Sequence, residues 1–73
     1  MPTNTSLLRA RIIEKGFTQE QIAAKLGISY QAFSYKINNK NEFKVSEIQK
    51  LCELLSITNK DDYFFCQLNS QNG

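Results

Sequence analysis

The sequence of 73 residues contains no histidine and no tryptophan, and it has one proline, one valine and two cysteines. Without histidine, the chain has no imidazole base, no Ser-His or Cys-His nucleophile pair and no imidazole ligand for a metal ion. Two cysteines, Cys52 and Cys66, are too few for a four-cysteine zinc site or a disulfide-rich secreted scaffold. These absences predict a protein that is not an enzyme and that uses no metal or other cofactor.

Apolar runs are short throughout the chain. None approaches the roughly 20 residues that a membrane-spanning helix needs, and no signal-peptide core follows Met1. Hydrophobic residues make up 41% and charged residues 22% of the chain, a composition typical of one small globular domain. We therefore expect a soluble intracellular domain that binds rather than catalyses, with no membrane partner and no small-molecule substrate.

The formal net charge of +2 is unevenly distributed along the chain. Residues 1–40 contain six cations and two anions, a net charge of +4, whereas residues 41–73 contain three cations and five anions, a net charge of −2. A positive amino-terminal half favours a face that approaches a polyanion. Alone, this is a weak indication, because most small domains carry some uneven charge.

Strand signals are few, and helix signals follow one another closely. No Asn-Gly or Asp-Gly turn separates two apolar runs, so the chain lacks the pattern of a β-hairpin. The sequence predicts a flexible lead-in over residues 1–5, a domain over residues 6–66 and a flexible tail over residues 67–73. The expected fold class is all-α, a compact bundle of four to five helices.

The first two helices have recognisable ends. Ser6 is expected to cap the first helix, which runs to about Lys15. Thr18 and Gln21 match a capping box, in which each side chain accepts a backbone N–H of the first turn. The second helix is expected to stop at Gly27, because glycine readily takes the left-handed conformation found at helix ends.

The later helices follow the same logic. Ser29 is expected to cap the third helix, and apolar spacing predicts a fourth helix over about residues 45–55. Two caps are possible for this fourth helix: Ser46 would form a capping box with Gln49, whereas apolar residues on either side favour a cap at Lys44. A last helical turn is expected to open at residues 58–61.

Two helices joined by a turn of about three residues that contains glycine are the signature of a helix-turn-helix. Here the turn is Gly27-Ile28-Ser29, which leaves no slack between the second and third helices. The two helices must therefore cross at a fixed, steep angle. This geometry lets the third helix lie in a major groove of DNA while the second helix braces it against the backbone.

The third helix has a polar face without an acidic residue. At about 100° per residue, its outward side chains share an arc of roughly 140°, and their amide and hydroxyl groups suit base edges. Each of them either reads a base or contacts phosphate or sugar. The predicted base-reading residues are Tyr30, Gln31, Ser34, Tyr35 and Asn38.

Polar and basic residues surround this face and suit the phosphate backbone, as does the N-terminus of the second helix. The predicted phosphate-binding residues are Gln19, Ser29, Lys36, Asn39, Lys40, Asn41 and Lys44.

The run FTQEQIAAKLGIS at residues 17–29 resembles the second helix and turn of the phage-repressor and Cro-type helix-turn-helix family. The resemblance covers residues 7–57, and the segments FSYKIN at 33–38 and EFKV at 42–45 are similar to short phage proteins of the lysis–lysogeny control region. It implies a lambda-repressor-like fold of five helices that binds double-stranded operator DNA in the cytoplasm of a bacterial host, usually as a homodimer. It also implies that Gln19 clamps a phosphate, while the outward residues of the third helix face bases.

The chain departs from that family in two ways. Many members keep an apolar residue at the position of Lys36, where packing passes here to Ile37. This change is expected to rotate the third helix slightly, which leaves open whether Ser34, Tyr35 or Asn38 reaches deepest. The chain also lacks the protease-like domain of long repressors, so we expect no self-cleavage.

The carboxy-terminal region holds more apolar area than a short tail needs. Its side chains either cover the core over the fourth helix or form a patch that pairs two subunits, and we favour the dimer. The same stretch, together with the modest net charge, supports an alternative function, a modulator that uses this fold to hold a partner repressor or a toxin. The candidate dimerisation residues are Tyr63, Phe64, Phe65 and Leu68.

Overall fold

Five α-helices follow one another in the computed structural model, which describes residues 3–64. The helices are α1 Thr5–Glu14, α2 Gln19–Leu26, α3 Tyr30–Ile37, α4 Val45–Leu55 and α5 Lys60–Tyr63. Over residues 3–64 there is no β-strand, only an isolated antiparallel bridge between Thr3 and Phe64. The expected all-α class with four to five helices is confirmed. In the same part of the chain, no helix is long and apolar enough to cross a membrane.

The ends of α2 and the start of α3 are as predicted. The Thr18 hydroxyl accepts the Gln21 N–H at 3.1 Å, and the Gln21 side-chain oxygen accepts the Thr18 N–H at 2.9 Å, which completes the capping box. Gly27 ends α2 in the left-handed conformation with φ 76°. The Ser29 hydroxyl then accepts the Ala32 N–H at 3.0 Å and caps α3.

The start of α1 differs from the prediction. Asn4, not Ser6, is the cap, and its side-chain oxygen accepts the Leu7 N–H at 3.1 Å. Thr3 is buried, and the Asn4 N–H donates a 2.8 Å hydrogen bond to the Tyr63 carbonyl. Residues 3–5 of the predicted lead-in are therefore packed against the rest of the fold, because α5 provides partners that lie distant in sequence.

The cap of α4 is Lys44, the second of the two possibilities that the sequence left open. Its backbone N–H donates to a carboxylate oxygen of Glu47 at 2.8 Å. At the other end, α4 stops at Ser56, which adopts the left-handed conformation with φ 55°.

The core draws on all five helices. Its fully buried side chains include Leu8 and Ile12 of α1, Ile22 of α2, Phe33 and Ile37 of α3, and Leu51 and Leu55 of α4. Cys52 is half-buried and packs against this core. Burial raises the pKa of the Cys52 thiol, with Lys60 opposing the rise and Glu53 adding to it.

The carboxy-terminal aromatic residues correct the dimerisation hypothesis. Tyr63 is 6% exposed and Phe64 1% exposed, so both belong to the core. The Phe64 ring lies 5.7 Å from that of Phe43, which in turn lies 5.8 Å from that of Phe33. The fold of one subunit thus removes this apolar area from water. Phe65, Leu68, Cys66 and the predicted tail over residues 67–73 lie outside the described residues.

Candidate nucleic-acid interface

The turn between α2 and α3 holds the two helices at a fixed angle. Gly27 donates its N–H to the Ala24 carbonyl at 3.0 Å, and Ile28 donates to the Ala23 carbonyl at 3.1 Å. The Ile28 side chain packs against the core from within the turn. Because Ser29 caps α3 immediately afterwards, the axis of α3 is set by packing and by hydrogen bonds rather than by a free linker.

The outward side of α3 carries the five predicted base-reading residues. Tyr30 is 50% and Tyr35 43% exposed, whereas Phe33 and Ile37 on the inner side are fully buried. The Gln31 amide nitrogen lies 3.5 Å from the Tyr35 hydroxyl. Gln31 and Asn38 are exposed, and Ser34 is half-buried.

Asn38 differs from the other four in its local bonding. Its side-chain nitrogen donates to the Ser34 carbonyl at 2.9 Å, a hydrogen bond within the last turn of α3. Such a bond fixes the amide close to the helix end. Tyr30, Gln31, Ser34 and Tyr35 thus form the centre of the face, and Asn38 lies at its carboxy-terminal edge.

The loop after α3 folds back onto the end of that helix. The N–H groups of Lys40 and Asn41 donate to the Tyr35 carbonyl at 2.8 and 3.3 Å. Lys40, Asn41 and Lys44, which the sequence predicts as phosphate-binding residues, are exposed. The hydrogen bonds to Tyr35 therefore keep Lys40 and Asn41 beside the outward face.

Gln19 and Ser29 lie at the N-termini of α2 and α3. Gln19 is the first residue of α2 and is half-buried, whereas Ser29 is exposed. The Ser29 oxygen already accepts the Ala32 N–H as a cap, while its O–H is a donor in its own right. Both positions suit an anion, because unpaired N–H groups and the positive end of the helix dipole meet there.

Lys36 does not have the predicted phosphate-binding geometry. Its ammonium lies 2.7 and 2.8 Å from the two carboxylate oxygens of Glu47. The Lys36 side chain is 11% exposed and that of Glu47 8% exposed. The charge is compensated and buried between α3 and α4, because at 100° per residue Lys36 lies on the side of α3 away from the outward arc.

Asn39 also has another role than the predicted one. Its side-chain oxygen accepts the Thr3 N–H at 2.6 Å, and its side-chain nitrogen donates to the Thr3 carbonyl at 3.0 Å and lies 3.4 Å from the Thr5 hydroxyl. Its backbone is left-handed, with φ 66°. The amide therefore ties the start of the chain to the end of α3.

Two polar residues of the structure were missed by sequence reasoning. Glu47 stands three residues after Lys44, a capping-box spacing that would have revealed its first hydrogen bond, although not its pairing with Lys36. Arg11 donates from its guanidinium to the carbonyls of Leu55 and Ser56, both at 2.9 Å. Nothing in the sequence pattern indicates these hydrogen bonds of Arg11, since they join α1 to the end of α4.

A shallow depression of about 340 Å³ lies between α2 and α4. It is lined by residues of both charges, and within the described range no three carboxylate or cysteine side chains converge as a metal site would require. The outward face of α3 is therefore the better candidate for a binding site.

The comparisons with known proteins give a family. A family model described as "Protein of unknown function (DUF739)" matches residues 1–67, almost the whole chain. No curated protein matches the sequence. The chain belongs to the DUF739 family.

Proposed function

We propose that this protein is a sequence-specific DNA-binding domain that reads operator DNA with α3 in the major groove. One observation carries the proposal. The helix that follows the closed Gly27-Ile28-Ser29 turn has an outward side of exposed amide, hydroxyl and aromatic groups, with no acidic side chain in α3. A face of this kind meets base edges without repelling phosphate.

The side chains supply a chemically specific reading surface. The Gln31 side-chain oxygen can accept a hydrogen bond from the adenine N6 amino group while its side-chain nitrogen donates to N7, the paired contact that selects adenine. Tyr30 and Tyr35 expose enough ring to press against a thymine methyl group, and their hydroxyls can reach a phosphate. The Ser34 hydroxyl can form a hydrogen bond with several bases, so it helps to position α3 in the groove more than it selects one base.

The phosphate-binding set is smaller than the sequence predicts. With Lys36 and Asn39 committed to the fold, the proposed contacts are Gln19, Ser29, Lys40, Asn41 and Lys44. Each lysine that neutralises a phosphate contributes about −0.9 to the slope of log affinity against log salt. Lys40 and Lys44 together would give a slope of about −2 for each protein chain.

The proposed biological role is regulation of transcription in a phage or prophage switch, inside the bacterial host cell. Binding would block promoter sequence. A homodimer is part of this proposal, because a single module of this size makes too few contacts for tight specific binding. Its half-sites would lie about 34–36 Å apart.

A modulator that holds a partner protein is the alternative function. It rests on the modest net charge and on the apolar stretch at Phe64 and Phe65, of which Phe64 is buried. Phe65 lies outside the described residues.

Selection of bound duplexes from a random pool tests the proposal directly. We expect enrichment of one motif, with two half-sites centred 10–10.5 base pairs apart if the protein binds as a dimer. Titration of the enriched duplex and of a scrambled duplex of the same composition should show preference for the first and weaker binding of both at higher salt. A pool that emerges without enrichment would refute the assignment and return attention to a protein partner.

A further inference from the structure

The ion pair between Lys36 and Glu47 joins the end of α3 to the start of α4. Lys36 lies in the last turn of α3, and Glu47 lies in the first turn of α4. One Glu47 oxygen accepts both the Lys36 ammonium at 2.7 Å and the Lys44 N–H at 2.8 Å, and the other accepts the ammonium at 2.8 Å. One buried carboxylate thus closes the connection between the two helices.

We propose that the Lys36–Glu47 pair is a positioning device that sets the angle of α3 against α4 and thereby the sequence preference of the domain. The part of this inference that concerns DNA rests on the proposed function. The segment that the pair closes, residues 38–44, also carries Lys40, Asn41 and Lys44. The pair therefore fixes the base-reading helix and the phosphate-binding loop relative to each other.

The pair contributes to the orientation of α3 rather than to the stability of the fold. Removing a lysine and a carboxylate from water is costly, so a buried pair often stabilises a fold no more than two well-packed apolar side chains of the same size. What the pair adds is direction: short charge-assisted hydrogen bonds hold atoms within narrow distances and angles, whereas apolar contacts permit sliding. A small rotation of α3 would displace Gln31 and Tyr35 from base edges, where hydrogen-bond geometry is strict.

The pair also acts without contact to DNA. The Lys36 side chain is 11% exposed and its ammonium is occupied by both carboxylate oxygens. Lys36 is therefore a positioning residue, distinct from a phosphate contact that would contribute to salt dependence.

The double variant Lys36→Met/Glu47→Gln tests this inference. It leaves the net charge unchanged, keeps a side-chain oxygen for the Lys44 N–H and leaves no buried charge unpaired, so it is expected to fold even where either single variant fails. Lys36→Arg is the conservative control, because a guanidinium can bind both carboxylate oxygens.

The first readout is the affinity ratio of the selected duplex over its scrambled form, measured over a range of salt concentrations. We expect the ratio to fall at least about tenfold in the double variant, as loss of a good paired base contact would produce. The salt slope should stay unchanged, and Lys36→Arg should retain most of the ratio. A ratio within twofold of the wild type overturns the proposal, as does a salt slope reduced by about one with the ratio intact.

The second readout needs no DNA. Residual dipolar couplings of backbone amides in α3 and α4 give the angle between the two helices in each variant. We expect a changed angle in the double variant and a native one in Lys36→Arg, and an unchanged angle in the double variant would refute the positioning role. If the wild-type protein selects no duplex, the proposed function fails, whereas the couplings still decide whether the pair orients α3.

Discussion

The Arg11 side chain of α1 donates a 2.9 Å hydrogen bond from Nε to the Leu55 carbonyl at the end of α4. A second guanidinium nitrogen donates to the Ser56 carbonyl at 2.9 Å. The last carbonyls of a helix have no partners within the helix, and a cation near them also favours the negative end of the helix dipole. Arg11 of α1 therefore caps the C-terminal end of α4.

Replacement of Arg11 by methionine should lower the free energy of unfolding by about 1–2 kcal/mol, because two charge-assisted hydrogen bonds are lost from a partly exposed site. Urea denaturation followed by circular dichroism measures this change. Arg9→Met is the matched control, since Arg9 is an exposed cation of the same helix and should cost less than about 0.5 kcal/mol. Equal effects of the two substitutions would contradict the assigned role.

Gln31→Ala should weaken binding to the selected duplex by about 1–3 kcal/mol and relax the preference at one base position. The reason is that an exposed amide on the outward side of α3 is the best candidate for a paired base contact. Gln49→Ala on α4 is the control, because Gln49 is also exposed but lines the depression between α2 and α4. Fluorescence anisotropy with labelled duplexes checks both variants. An unchanged preference in Gln31→Ala would remove Gln31 from the reading surface.

Lys40→Ala should weaken the selected and scrambled duplexes to the same degree and reduce the salt slope by about one. The Lys40 backbone is held at the end of α3 by its bond to the Tyr35 carbonyl, so its ammonium can reach the DNA backbone from there. Lys60→Ala, which removes an exposed cation from α5, should leave the slope unchanged. Affinities at four or more salt concentrations give the slope. If Lys40→Ala instead loses the preference for the selected duplex over the scrambled one, Lys40 contacts a base rather than a phosphate.

Asn39→Ala should destabilise the fold by about 2–3 kcal/mol. It removes the hydrogen bonds to Thr3, each worth about 1 kcal/mol, and leaves at φ 66° a residue that adopts the left-handed conformation less readily than asparagine does. Asn39→Gly loses the same bonds without that strain and should cost about 1 kcal/mol less. The neighbouring Asn41→Ala should stay within about 0.5 kcal/mol of the wild type. Thermal and urea unfolding rank the three variants, and a reversed order of alanine and glycine would exclude the backbone explanation.

Phe64→Ala should cost about 3–5 kcal/mol in the free energy of unfolding, because it empties a fully buried site against Phe43. Ile13→Ala, a change at a side chain that is 74% exposed, serves as the control and should be nearly neutral. Circular dichroism together with sedimentation velocity distinguishes the two hypotheses for Phe64. If the wild-type protein is a dimer and Phe64→Ala is a folded monomer, Phe64 belongs to a dimerisation patch and the core assignment is contradicted.

Local signals in the sequence were sufficient for most of the fold. The capping box at Thr18, the left-handed Gly27 and the Ser29 cap each depend on residues within four positions of one another, so they can be identified without knowledge of the tertiary fold. The alternation of buried and outward positions in α3 follows from helical periodicity alone. For these reasons the ends of α2 and the start of α3 agree with the prediction.

Contacts between distant residues account for the errors. The cap that the sequence predicts at Ser6 lies instead at Asn4, whose backbone N–H donates to the Tyr63 carbonyl, a contact that nothing local in the sequence shows. The sequence predicts Lys36 and Asn39 as phosphate-binding residues because both are polar, Lys36 within α3 and Asn39 just after it. Their partners, Glu47 and Thr3, lie 11 and 36 residues away.

By itself, the sequence determined which side chains are available for chemistry, with no histidine and two cysteines. Its amphipathic periodicity determined an all-helical bundle whose third helix has an outer side without acidic residues. The tertiary structure alone decided which polar groups remain on the surface. Hydrogen-bonding capacity is a property of each residue type and can be read from the sequence. Its use depends on which other buried groups would be left unsatisfied, and only the packed fold brings Lys36 to Glu47, Asn39 to Thr3 and Arg11 to Leu55.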